Sequence, residues 1–83
     1  MLRVAAVMTR DPTFEALARE VREAEQALIA TAAQDPQRWW YPPDLRAQAR
    51  NGWSAGAVGT ALENLIQKGR FAVNADLCVR LRG

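Results

Sequence analysis

The sequence predicts a small α+β domain of three helices, one short strand and a C-terminal β-hairpin. Three observations carry that prediction. After Pro12, apolar residues recur at alternating spacings of three and four for about twenty residues. An Asn51-Gly52 pair then separates two further helical segments by a very short turn. Beyond Gly69 the apolar period changes from helical to strictly alternating.

The first helix begins at Asp11-Pro12, with Asp11 as the N-cap and Pro at the first helical position. Phe14, Leu17, Val21, Ala24, Leu28 and Ala32 form its apolar stripe, read as core rather than as a coiled-coil seam. Glu15–Arg19 and Arg19–Glu23 are i,i+4 pairs on its wet side. Gln34-Asp35-Pro36 ends it.

Arg38-Trp39-Trp40-Tyr41-Pro42-Pro43 follows, and an extended segment is the natural conformation before a proline. Alternation puts Trp39 and Tyr41 on one side and Trp40 on the other, so at least one indole lies at or near the surface. Pro42 or Pro43 opens a second helix through Leu45 and Ala49, and Asn51-Gly52 stops it with Gly in the left-handed position. Ser54 caps a third helix whose stripe is Val58, Ala61, Leu62, Leu65 and Ile66, terminated by Gly69.

Phe71 and Val73, then Leu77, Val79 and Leu81, read as two strands of a hairpin. Keeping the apolar residues on one face sets Val73 against Leu77 and Phe71 against Val79, with Asn74-Ala75-Asp76 as a three-residue loop. The outer face then sets Arg70 opposite Arg80 and Ala72 opposite Cys78. Phe71, Val73, Val79, Leu62 and Leu65 are all expected to be buried.

Composition prunes the functions. Eighty-three residues hold one core, so residues 1–10 are read as an N-terminal arm and 11–83 as a single domain. With no histidine, His-based acid/base chemistry, His-assisted nucleophiles and His metal sites are all excluded. Cys78 is the lone cysteine and reads as a passive thiol, which fits a reducing cytoplasm. Neither a membrane span nor a signal peptide is expected, the apolar Met1–Met8 stretch being too short. Glu20 and Glu23 read as solvated carboxylates on an Arg-interleaved face, not as a metal or catalytic pair. A non-enzymatic protein without cofactors is the expectation.

Charge is uneven. Residues 1–41 carry five Arg against six acids, whereas residues 42–83 carry six basic residues against three acids. The stretch Ser54-Ala55-Gly56-Ala57-Val58-Gly59-Thr60-Ala61-Leu62-Glu63-Asn64-Leu65-Ile66-Gln67-Lys68-Gly69-Arg70-Phe71 looks like a third helix running into a first wing strand. Together with the element order, it resembles the winged helix-turn-helix family of bacterial and phage DNA-binding domains, over residues 12–82.

That resemblance implies a small transcriptional regulator on double-stranded DNA, with the third helix in the major groove and the wing along the backbone or minor groove. At 100° per residue the third helix turns Gly56, Thr60, Glu63, Asn64 and Gln67 away from its core stripe. Thr60, Asn64 and Gln67 are base-contact candidates. Arg46, Arg50, Lys68, Arg70, Arg80 and Arg82 are the phosphate candidates. A homodimer through the N-terminal segment or the long helix would let so small a reader span an operator.

The alternative is a winged helix that docks on a protein, through the neutral third-helix face and Trp39 and Trp40. The neutral face favours docking, and the arginine cluster favours nucleic acid. RNA binding through the wing and exposed aromatics is a third reading.

Overall fold

A computed structural model describes residues 12–82, so the arm at 1–10 and the Asp11 cap lie outside the described residues. The chain runs α1 (Pro12–Ala33), α2 (Pro42–Ala49), α3 (Ala55–Gln67), β1 (Phe71–Val73) and β2 (Val79–Leu81). The architecture is α+β, three helices followed by an antiparallel hairpin, in a winged-helix-like arrangement.

Local chemistry sets the helix boundaries. Pro42 and Pro43 occupy the first two positions of α2, where a missing N–H costs nothing. Gly52, at φ 86°, turns the chain between α2 and α3. The Ser54 hydroxyl accepts from the Ala57 N–H at 3.1 Å and caps α3. At the other end Gly69, at φ 79°, allows a Schellman closure: Gly69 N–H donates to Ile66 O (3.0 Å) and Arg70 N–H to Leu65 O (2.9 Å).

The core lies where α1, α3 and the inner face of the hairpin meet, with α2 closing one side. Leu28, Leu45, Val58, Leu65 and Val79 are its largest fully buried side chains. The α1 stripe contributes only its C-terminal half: Ala24, Leu28 and Ala32 are buried and Val21 packs partly, but Phe14 is 65% exposed and Leu17 48%. Length explains this correction. At 1.5 Å per residue α1 is about 33 Å long and α3 about 20 Å, so the first turns of α1 reach past its partners.

Trp40 forms an antiparallel bridge with Val79, donating to its carbonyl at 2.7 Å and accepting from its N–H at 2.8 Å. The expected short strand is thus a single bridge that makes β2 the middle of a three-segment sheet.

The hairpin register differs from the expected one by two residues. The pairs are Phe71–Leu81, Ala72–Arg80 and Val73–Val79. Asn74 is the reason. Its Oδ1 accepts from the N–H groups of Asp76 and Cys78, both at 2.9 Å, and its own N–H donates to Cys78 O at 3.0 Å. The five-residue Asn74–Cys78 loop is thereby satisfied from within. A shift of two keeps every side chain on its expected face. It also separates Arg70 from Arg80 and Ala72 from Cys78, and brings Arg82 beside Arg70, whose carbonyl accepts the Arg82 N–H at 2.9 Å. Val73, expected to be buried, is exposed at the end of β1 next to the loop, and Leu77 within the loop is exposed too.

Candidate nucleic-acid interface

The exposed stripe of α3 is Gly56, Thr60, Glu63 and Gln67, at spacings of four, three and four. It carries one carboxylate and no cation. Asn64 is only half-exposed and turns toward α1, where its amide donates to Glu25 Oε2 at 3.2 Å. Lys68 Nζ sits on the other oxygen of the same carboxylate at 3.0 Å. Two of the residues expected to meet a ligand are therefore held by one acid on the first helix.

That is the one ion pair among the described residues, so Glu15–Arg19 and Arg19–Glu23 do not close along α1. Glu23 instead accepts from the Trp53 indole N–H at 3.2 Å, and Glu20 from the Ser54 N–H at 3.5 Å. The two carboxylates anchor the α2–α3 turn to α1, a role beyond the solvated one expected of them.

On α2, Arg46 and Arg50 lie one turn apart and line a groove of about 170 Å³ with Pro43, Ala47, Ala55 and Val58. Arg50 Nε donates to Trp53 O at 2.8 Å, which steadies its guanidinium beside the start of α3. Both cations lie beside the first turns of α3, where Ala55 and Val58 complete the groove.

The aromatic segment divides by parity. Trp40 is buried, with Arg38 stacked 3.7 Å from its ring centre and its indole N–H without a hydrogen-bond partner. It is a core residue, only 5% exposed, which corrects its assignment as a docking side chain. Trp39 (36% exposed) and Tyr41 (60%) face outward. The Arg80 guanidinium lies 4.5 Å from the Trp39 ring centre. Arg80 and Arg82 also line a shallow cleft of about 490 Å³ with Pro36, Gln37, Ala72 and Leu81.

Sequence reasoning missed Glu25 and Arg38, and it named Tyr41 in the aromatic segment without making it a contact residue. Only Tyr41 had a local signal, since it shares the parity of Trp39. The roles of Glu25 and Arg38 depend on which surfaces pack together.

Helix, tight glycine turn, helix and antiparallel hairpin make a small α+β domain in a winged-helix-like arrangement. No family model matches the chain, and no curated protein or solved structure is significantly similar to it. Among the described residues no helix is long and apolar enough to cross a membrane, and no cluster of metal-ligating side chains occurs.

Proposed function

We propose that this chain is a non-catalytic winged-helix protein that binds double-stranded DNA. The observation that carries this reading is the pairing of Arg46 and Arg50 along one groove beside the start of α3. Two cations on adjacent turns next to an exposed, small-residue helix face suit a phosphate backbone whose groove admits that helix. Thr60 and Gln67 are then the side chains within reach of base edges, and Arg70 and Arg82 at the hairpin base supply further phosphate contacts. A regulator in the cytoplasm, acting as a dimer through the exposed first turns of α1, is the fuller form of this proposal.

Fluorescence anisotropy on a random-sequence duplex at 50 and 200 mM salt tests it. Four phosphate contacts, from Arg46, Arg50, Arg70 and Arg82, give a log–log salt slope of about −3.6 and a loss of about two decades. Arg46→Gln with Arg50→Gln should reduce the slope by nearly two units. No measurable duplex binding at 50 mM, or an unchanged slope in the double variant, overturns the reading.

Protein docking is the second reading, favoured by the exposed Phe14 and Leu17 on one face of α1. On that reading Leu17→Asp removes a complex while the double arginine variant does not.

A further inference from the structure

The sheet's outer surface is a second charged face that shares no residue with the α2–α3 groove, although Arg70 and Arg82 on it also serve the duplex reading. The Trp40–Val79 bridge sets Trp39 opposite Arg80 and Tyr41 opposite Cys78. The hairpin register adds Ala72 beyond Arg80, and Arg70 beside Arg82. The positions that share this face thus carry two exposed aromatic rings and three arginines, and no carboxylate. Trp39 and Tyr41 are two residues apart on one extended segment, about 6.6 Å at 3.3 Å per residue. A nucleotide chain whose bases are unstacked can place neighbouring bases at such a spacing, whereas duplex bases are stacked inside their helix and cannot reach these rings.

We propose that this face binds an unpaired DNA strand, with bases stacked on Trp39 and Tyr41 and phosphates on Arg80, Arg82 and Arg70. Three features support the assignment over an apolar partner. The face is cationic without acids, so its charge complements a polyanion. Its aromatic rings are outward-facing, while the buried Trp40 of the same segment serves the core. The Arg80 guanidinium lies over the Trp39 ring, 4.5 Å from its centre, so a cation stands within the aromatic site itself. Stacking uses the π-face that every base has, so binding is indifferent to sequence. The choice of DNA over RNA rests on the duplex reading above; the single-stranded character rests on the sheet alone.

The test is anisotropy of a labelled oligothymidylate of about 12 nucleotides, within the length one small domain covers. Trp39→Ala and Tyr41→Ala should each weaken binding at least about fivefold, and Trp39→Phe should restore most of the loss because it keeps a stacking ring. Tyr41 makes no side-chain cap for α2, so its removal leaves the helix start intact. Arg80→Gln should reduce the salt slope by about 0.7, the single-strand value per phosphate. The duplex arm separates the two readings: Arg46→Gln/Arg50→Gln weakens duplex binding and leaves oligothymidylate affinity within about twofold, and Trp39→Ala does the reverse. If the duplex does not bind but the oligothymidylate does, with the Trp39 dependence, the duplex reading falls and this one stands. Folded Trp39→Ala and Tyr41→Ala variants that bind the strand as tightly as the parent overturn it. So does an oligouridylate of equal length bound more than about tenfold tighter than the DNA strand.

Discussion

The Lys68 ammonium lies 3.0 Å from the Glu25 carboxylate, so the cation nearest the C-terminus of the candidate reading helix is already neutralised within the fold. The lysine is more than half exposed and the glutamate is mostly covered, which makes the pair a covered acid with a solvent-facing cation. Glu25→Gln should therefore free Lys68 for phosphate, raise duplex affinity a few-fold and steepen the salt slope by about 0.9. The change should cost about 1–2 kcal/mol of stability, because a mostly covered carboxylate that accepts from both Asn64 and Lys68 becomes a neutral amide. Anisotropy and urea titration on the same protein check both halves. An affinity that falls would mean that Glu25 positions Asn64 and Lys68 for the ligand rather than withholding them.

Leu62 and Leu17 both occupy apolar stripes, but only Leu62 is buried. Leu62→Ala should cost ~2–5 kcal/mol, a large part of the stability of so small a domain. Leu17→Ala should change the monomer by less than about 0.5 kcal/mol. If Leu17→Ala lowers the melting temperature in a concentration-dependent way, the exposed end of α1 is covered by a second copy.

Leu77 holds φ 63° with its side chain 71% exposed, so it bears left-handed strain without repayment from burial. Leu77→Gly should stabilise the protein by about 1 kcal/mol, since glycine adopts that conformation freely. Asn74→Ala should destabilise it by roughly 1–3 kcal/mol, because two loop N–H groups lose their acceptor. Denaturant midpoints measure both, and a destabilised Leu77→Gly would show that the leucine packs at the tip.

Helix boundaries were legible because caps act locally: Pro42, Gly52, Ser54 and Gly69 each do in the structure what their chemistry dictates. The hairpin register was not legible. Apolar alternation is satisfied equally by two registers that differ by two residues, and the choice falls to the Asn74 side chain, which is silent in a hydrophobic pattern. The same limit governs the site. Period alone turned Asn64 outward, but its tether to Glu25 spans 39 positions and depends on how α1 crosses α3. Parity correctly separated Trp39 from Trp40, yet which of them faces inward is fixed by the bridge to Val79.

The register also reverses the sign expected for one arginine. Facing Arg70, Arg80 would be repelled, and its removal would leave stability level or higher. Facing Ala72 and lying on the Trp39 ring, Arg80 is attracted, and Arg80→Gln should cost ~0.5–1 kcal/mol. Arg70 instead neighbours Arg82, so Arg70→Gln should be neutral or stabilising by a few tenths of a kcal/mol. Trp39→Ala removes the ring and should abolish the Arg80 effect, giving a double-mutant coupling of the same ~0.5–1 kcal/mol. Thermal or urea unfolding of the four proteins in that cycle decides the matter. A stabilising Arg80→Gln, or zero coupling to Trp39, would mean that the two side chains do not stack in solution.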